Sequence, residues 1–327
     1  MRNSNYLKVI LYVVLALSLF SGLVMTAVGI MAGLFTHKIG SVNGNDDYAY
    51  VLILGTFMAA IGVGMITRAS LFIAFISKRD MEELQQNRWA LIVLALGISS
   101  FWIPFILRRT TGYGVSSTSD VPVKYYLGKW FSMIWFVSAI AFVCAFLFVS
   151  SYQIGDEGGL ISFGTTGYLN DFVYSTAKMQ SLNNGIFYAL IGITAFQLFI
   201  GILAVPAFYF PNSLESYQNG GAFKVYMLIF GWFFTMWATV LLVFAILSAF
   251  LEIVNALGNA FGNNRGGMVS RIFSIIALPF IIAMQGYIIM VCGQTIKGIW
   301  SRSDQVSYNT YSRVETLNRG TTANTRF

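Results

Sequence analysis

Long apolar runs alternate with short polar connections along the whole chain. A transmembrane helix needs about 20 apolar residues to cross roughly 30 Å of hydrocarbon. Most of the runs reach that length, so the pattern predicts an all-α fold, a polytopic transmembrane helical bundle with six to seven membrane segments. The seven apolar runs lie at 7–35, 51–77, 89–107, 130–151, 185–210, 223–254 and 272–296.

The third run, WALIVLALGISSFWIPFIL at 89–107, differs from the others in length and composition. It is the shortest, and Gly97, Ser99, Ser100 and Pro104 interrupt it. Two interpretations stay open: an ordinary span, or a short segment that enters the membrane and returns or lies at its surface. A re-entrant segment needs shelter from other protein, because bare backbone is not tolerated in hydrocarbon.

The basic residues bear on this choice. They concentrate in 78–129 and after residue 296, whereas 36–50, 152–184 and 255–271 carry few of them. Cytoplasmic loops are enriched in lysine and arginine. If the third run does not cross, six spans form three hairpins with outward loops, and both termini are cytoplasmic. If all seven runs cross, the N-terminus lies outside. We favour seven segments of which at least six cross.

The runs also suggest how the chain is divided. We expect a transmembrane helical domain over 1–300 and a polar cytoplasmic tail over 301–327. The tail lacks apolar periodicity, which predicts disorder. The connection 152–184 is the longest. Loops of more than about 12–15 residues are often functional, so this one is a candidate for an external contact.

Composition agrees with an integral membrane protein. Hydrophobic residues make up 57% of the 327 residues and charged residues only 10%, whereas soluble domains carry about a quarter charged residues. The formal net charge is +7, but the cations lie in loops and tail and form no basic domain. We therefore expect contact with the lipid bilayer and no nucleic-acid partner.

One arginine, Arg68, lies inside the second apolar run. An arginine at the centre of a membrane helix costs about 2.5–3.5 kcal/mol on insertion scales. We favour a helix whose membrane part is 51–67, with Arg68 reaching the cytoplasmic interface. The alternative is an intramembrane contact with a solute or with an acid. Glu252 is not expected to be that acid, because its position at the far end of its run predicts the outer interface.

Three glutamines, Gln197, Gln285 and Gln294, also fall within apolar runs. With Arg68 they are the candidate intramembrane polar contacts. Amide side chains in membranes most often bond between helices, each bond contributing around 0.6–2 kcal/mol. We favour that role over the lining of a solute path.

Small residues recur at a spacing of four in the first two runs. Such residues share a helix face and let backbones approach closely. The spacing predicts tight packing of the first two spans, or a contact with another subunit. The candidate packing residues are Gly29, Gly33, Gly55, Ala59, Ala60 and Gly64.

Several kinds of chemistry have no support in the sequence. The two cysteines are far apart within apolar runs, and the single histidine, His37, lies in a connection. This pattern predicts no zinc or haem centre and no histidine-activated serine. No phosphate-binding glycine-lysine loop occurs. We expect no catalytic activity and no cofactor.

Two classes of function remain. The first is a non-catalytic structural or accessory subunit of a larger membrane assembly, bound to other membrane subunits or to itself. The second is a channel or secondary transporter for a small neutral or anionic solute. We favour the first, because ion-coupled transport usually relies on intramembrane acids, which are scarce here.

Overall fold

The computed structural model describes residues 2–43, 48–96, 102–109, 122–154, 184–219, 222–261 and 268–300. Within these ranges every regular element is α-helical, so the predicted all-α class is confirmed. The tail 301–327 and nearly all of the connection 152–184 lie outside the described residues. The helices are α1 (Arg2–Asn43), α2 (Tyr48–Ser77), α3 (Met81–Gln86), α4 (Arg88–Ala95), α5 (Trp102–Arg109), α6 (Val123–Ile154), α7 (Asn184–Tyr209), α8 (Ser213–Asn219), α9 (Ala222–Phe261) and α10 (Met268–Trp300).

Six helices in the described part of the chain are long and apolar enough to cross a membrane: α1, α2, α6, α7, α9 and α10. Each coincides with one of the predicted apolar runs. Helices dominate such proteins because a helix satisfies its own backbone hydrogen bonds in lipid. Six helices of this kind mark the chain as a multi-pass membrane protein.

The third apolar run forms two short helices. Helix α4 ends at Ala95 and α5 begins at Trp102. Each has eight residues and is therefore about 12 Å long, less than half the thickness of the hydrocarbon layer. Residues 90–95 are buried throughout, whereas Trp102 and Phe105 are exposed.

The contacts divide the chain into two compact units. The first comprises Met1–Lys8, Lys78–Gly128 and Leu214–Phe327, and the second comprises Val9–Ser77 and Lys129–Ser213. The first therefore holds the short helices with α9 and α10, and the second holds most of α1, α2 and α6 together with α7.

In the second unit, α1 and α2 pack along a seam of glycines. A Cβ atom added to Gly29 would lie 2.6 Å from both the Ala59 nitrogen and the Gly55 oxygen. At the other end of the seam, a Cβ atom on Gly62 would lie 2.7 Å from the Gly22 oxygen. The residue numbers rise on α1 as they fall on α2, so the pair is an antiparallel hairpin with its backbones in contact.

Helix α6 packs in the same unit through larger side chains. The rings of Phe75 and Trp130 meet edge to face, with centroids 5.2 Å apart. A Cβ atom on Gly201 of α7 would lie 2.8 Å from the Phe136 Cβ. Helix α6 therefore contacts both α2 and α7 through aromatic side chains.

In the first unit, the short helices are held against the ends of longer ones. The Gln85 Nε2 donates a hydrogen bond of 2.7 Å to the Leu107 oxygen, which joins α3 to α5. The Trp89 ring covers Gly298 of α10, so closely that a Cβ atom there would lie 2.4 Å from the ring. The Lys124 Nζ lies 4.4 Å from the centre of the Trp232 ring, which joins α6 to α9.

In the first unit, the beginning of α1 also contacts the residues that follow the end of α2. The Lys8 Nζ donates a hydrogen bond of 2.9 Å to the Arg79 oxygen. The Arg79 guanidinium in turn donates to the Tyr126 hydroxyl over 3.2 Å. The start of α1, the chain after α2 and the start of α6 are therefore joined by hydrogen bonds through Lys8, Arg79 and Tyr126.

The glycine seam can be tested with a matched pair of substitutions. Gly29→Val should lower detergent stability by about 1–3 kcal/mol, because the added atoms would overlap the α2 backbone. Gly286→Val on α10 is the control, since a Cβ there meets nothing within 4 Å; we expect a change within about 0.5 kcal/mol. Thermal unfolding of the purified protein measures both. An equal loss of stability in the Gly29→Val and Gly286→Val variants would contradict the close packing of α1 on α2.

Candidate functional site

Helices α9 and α10 form an antiparallel hairpin in the first unit. The Trp300 Nε1 donates a hydrogen bond of 2.9 Å to the Thr239 hydroxyl, and the Trp300 and Trp232 rings lie 5.2 Å apart. Fifteen residues back along α10, the Gln285 amide donates to the Glu252 carboxylate of α9. These contacts fix the register of the two helices at two separate levels.

The hairpin is long for a membrane element. Helix α9 has 40 residues and α10 has 33. From Ala222 up to Glu252 the hairpin rises about 45 Å, and from Gln285 to Met268 it rises about another 25 Å. The sum of about 70 Å exceeds the roughly 40–45 Å of a whole bilayer with its headgroups.

Glu252 and Gln285 form a polar pair between two apolar helices. Gln285 is buried, near the middle of α10, whereas Glu252 is exposed. An ionised carboxylate offers about four acceptor positions, of which one amide donor fills one. No lysine or arginine among the described residues forms an ion pair with Glu252. The Glu252 side chain is exposed, so its remaining acceptor positions are accessible at the surface of the hairpin.

Glu252 belongs to a polar stripe on α9 consisting of Ser248, Glu252, Asn255 and Asn259. All four side chains are exposed. Their spacing of four, three and four residues puts them within an arc of about 60° at 100° per residue. The same spacing describes the contact seam of paired helices. We call this set the α9 polar stripe.

The part of the hairpin between the Glu252–Gln285 pair and the connection of the two helices is called its outer half; on α10 it comprises Met268–Gln285. Here α10 carries apolar side chains that the described residues leave uncovered. Phe273 and Phe280 are 69% and 74% exposed. Ile272, Ile275 and Ile276 are also exposed. These residues lie above the Glu252–Gln285 pair, on the part of the hairpin nearest its connection. A polar stripe and an apolar face therefore occur together on the same half of the hairpin.

The structure gives Arg68 an aromatic neighbour in the second unit. Its guanidinium carbon lies 5.4 Å from the centre of the Phe131 ring, which is fully buried on α6. Arg68 is itself half-buried, and α2 continues as a helix for nine residues beyond it to Ser77. The guanidinium thus takes part in the contact between α2 and α6.

The three candidate glutamines are divided between the two units. Gln197 is half-buried on α7 in the second unit. Gln285 and Gln294 share α10, but nine residues separate them, which turns them about 180° apart. Gln285 is buried against α9, whereas Gln294 is exposed. These two amides therefore lie on opposite faces of their helix.

The candidate packing residues divide between two neighbours of α2. Gly29 and Gly33 of α1 lie against Gly55, and Gly29 also lies against Ala59. A Cβ atom on Gly64 would instead lie 2.8 Å from the Ser138 Oγ of α6. Ala60 is buried within the unit.

Sequence reasoning considered Glu252 but missed its bond to Gln285 and its place in the polar stripe. The stripe was visible in the sequence as polar residues at helical spacing across the end of the apolar run 223–254. The bond needed the register of two helices, which no residue pattern specifies.

The described residues include no group of three or more metal-ligating side chains. Comparison with protein-family models, with curated proteins and with solved structures finds no match to this chain. The arrangement around Glu252 is therefore interpreted from its own geometry. A carboxylate beside an amide and exposed apolar rings suits contact with another helix.

Arg68 can be tested through its contact with Phe131. Arg68→Ala should lower detergent stability by about 0.5–2 kcal/mol, the range for a cation over an aromatic ring, and Arg68→Lys by less. A double-mutant cycle with Phe131→Leu should show coupling between the two positions. Lys78→Ala is the control, because Lys78 is exposed. The stability of each variant is measured by thermal unfolding. Strictly additive effects of the substitutions at positions 68 and 131 would contradict the contact.

Proposed function

We propose that the protein is a non-catalytic subunit of a larger membrane assembly and that the α9–α10 hairpin is the part that docks. The observation that carries this proposal is the exposed outer half of the hairpin, with the α9 polar stripe beside uncovered phenylalanines. In a lone protein, exposed phenylalanine rings are unfavourable in water, and exposed polar side chains are unfavourable in lipid.

The length of the hairpin supports a protein neighbour. Even at a tilt of about 40°, the upper end for membrane helices, a 70 Å hairpin stands about 54 Å tall, above the 40–45 Å of a bilayer. If the outer half lies in water, Phe273 and Phe280 expose apolar rings. If it lies in lipid, the α9 polar stripe faces hydrocarbon. A second protein can cover both surfaces at once.

The proposal includes a topology of six crossings. Helices α4 and α5 are each about 12 Å long and pack with α3. Lys8, Arg79 and Lys124 lie in the same unit, and such basic side chains favour the cytoplasmic side. We assign the short helices to that side, so that the six long helices form three hairpins and both termini are cytoplasmic.

The channel or transporter alternative has weaker support. Arg68 already stacks on the Phe131 ring. Gln285 and Gln294 point to opposite faces of α10. A path for a solute needs polar groups that converge on a common space, and Gln285 and Gln294 do not converge.

The test is the native mass of the protein extracted in a mild detergent, with mass spectrometry of the chains that co-migrate. We expect a stoichiometric set of other membrane proteins. The variants Phe273→Ser and Phe280→Ser should reduce their recovery, because a polar hydroxyl replaces a ring at the proposed contact.

Phe199→Ser on α7 is the matched control. Phe199 is 60% exposed and belongs to the second unit, whereas the hairpin belongs to the first. It should leave the assembly intact. A wild-type protein that migrates without other chains would contradict the subunit proposal. It would favour the channel or transporter alternative, which flux measurements in liposomes then test.

A further inference from the structure

We infer that the α9 polar stripe binds a transmembrane helix of a partner protein that carries a lysine or arginine facing Glu252. This inference rests on the proposed function and deepens it, because it names the chemistry of the partner. It concerns one face of one helix, whereas the proposed function concerns the docking of the whole hairpin.

The geometry of the stripe matches helix pairing. Ser248, Glu252, Asn255 and Asn259 are the positions that one straight neighbouring helix contacts over about three turns, since their spacing keeps them in line. The exposed Asn255 amide offers both donors and an acceptor to such a neighbour. Interhelical hydrogen bonds of this kind hold membrane helices together.

The hydrogen bonding of Glu252 favours a cation as its partner. Gln285 donates one hydrogen bond to the Glu252 carboxylate, and the exposed side chain has further acceptor positions to offer. Acids on membrane helices usually pair with an opposite charge or with backbone groups of other protein segments. A lysine or arginine on the facing helix satisfies the remaining positions.

A second copy of this chain fits less well. In a symmetric dimer formed by the stripe, the two Glu252 carboxylates would face each other across the axis. Like charges at close range disfavour that arrangement. Charge complementarity therefore favours a different chain that supplies the opposite sign.

The experiment compares full-length variants purified from native membranes in mild detergent. Glu252→Gln keeps the shape and removes the charge, and we expect about a tenfold loss of co-purified partner, with a larger loss for Glu252→Lys. Glu215→Gln, an exposed acid on α8, is the matched control and should leave recovery unchanged. Monodispersity and thermal unfolding confirm that each variant is folded.

A photo-crosslinking residue at position 255 identifies the neighbour with Glu252 intact, so the result does not depend on the folding of a Glu252 variant. We expect a crosslink to a membrane helix with a lysine or arginine one turn away. Replacing that cation by glutamate should abolish co-purification with the wild type, and Glu252→Lys should restore it.

The outcomes separate the two proposals. A wild-type protein that purifies alone overturns both. A wild-type assembly that Glu252→Gln leaves intact overturns only the inference about the stripe. A crosslink to a second copy of this chain, to lipid alone, or to a helix without a basic residue also overturns it.

Discussion

The constraint on which the structure depends is that hydrocarbon offers no hydrogen-bonding partner to a polypeptide backbone. Helices satisfy that constraint one at a time, so each long apolar run folds as its own element. The side chains then decide only which helices touch. Where glycines line a face, as on α1 and α2, backbones meet directly. Where aromatic rings do so, as between α2 and α6, the helices are held by ring contacts.

The same constraint explains why the interrupted run behaves differently. Helices α4 and α5 are each shorter than half of the hydrocarbon layer, and their buried residues contact protein within the first unit. The basic side chains of Lys8, Arg79 and Lys124 lie in that unit. Aromatic rings accept several of these cations and reduce the cost of holding them beside apolar surface.

Much of this architecture was predictable from the sequence, because helix length and apolarity are local properties. Six runs became the long helices, and the interruption of 89–107 marked the place where the pattern would fail. Contacts between helices were less accessible. The position of Arg68 over Phe131 depends on how α2 and α6 pack. The bond from Gln285 to Glu252 depends on the register of α9 and α10. Neither is encoded by spacing within one helix.

The α9–α10 hairpin links the fold to the proposed function. The outer half of this hairpin carries large exposed aromatic side chains beside exposed polar ones. Such a mixture is typical of surfaces that another protein covers. On this account the glycine seam and the aromatic contacts make a stable scaffold, and the hairpin is the part that recognises a partner.

The most direct test is an electron-microscopy structure of the protein extracted from its native membrane without overexpression. The account predicts that another chain covers the α9 polar stripe and the phenylalanines of the outer half of α10. A hairpin surrounded only by lipid and detergent, in a particle that contains this chain alone, would contradict it.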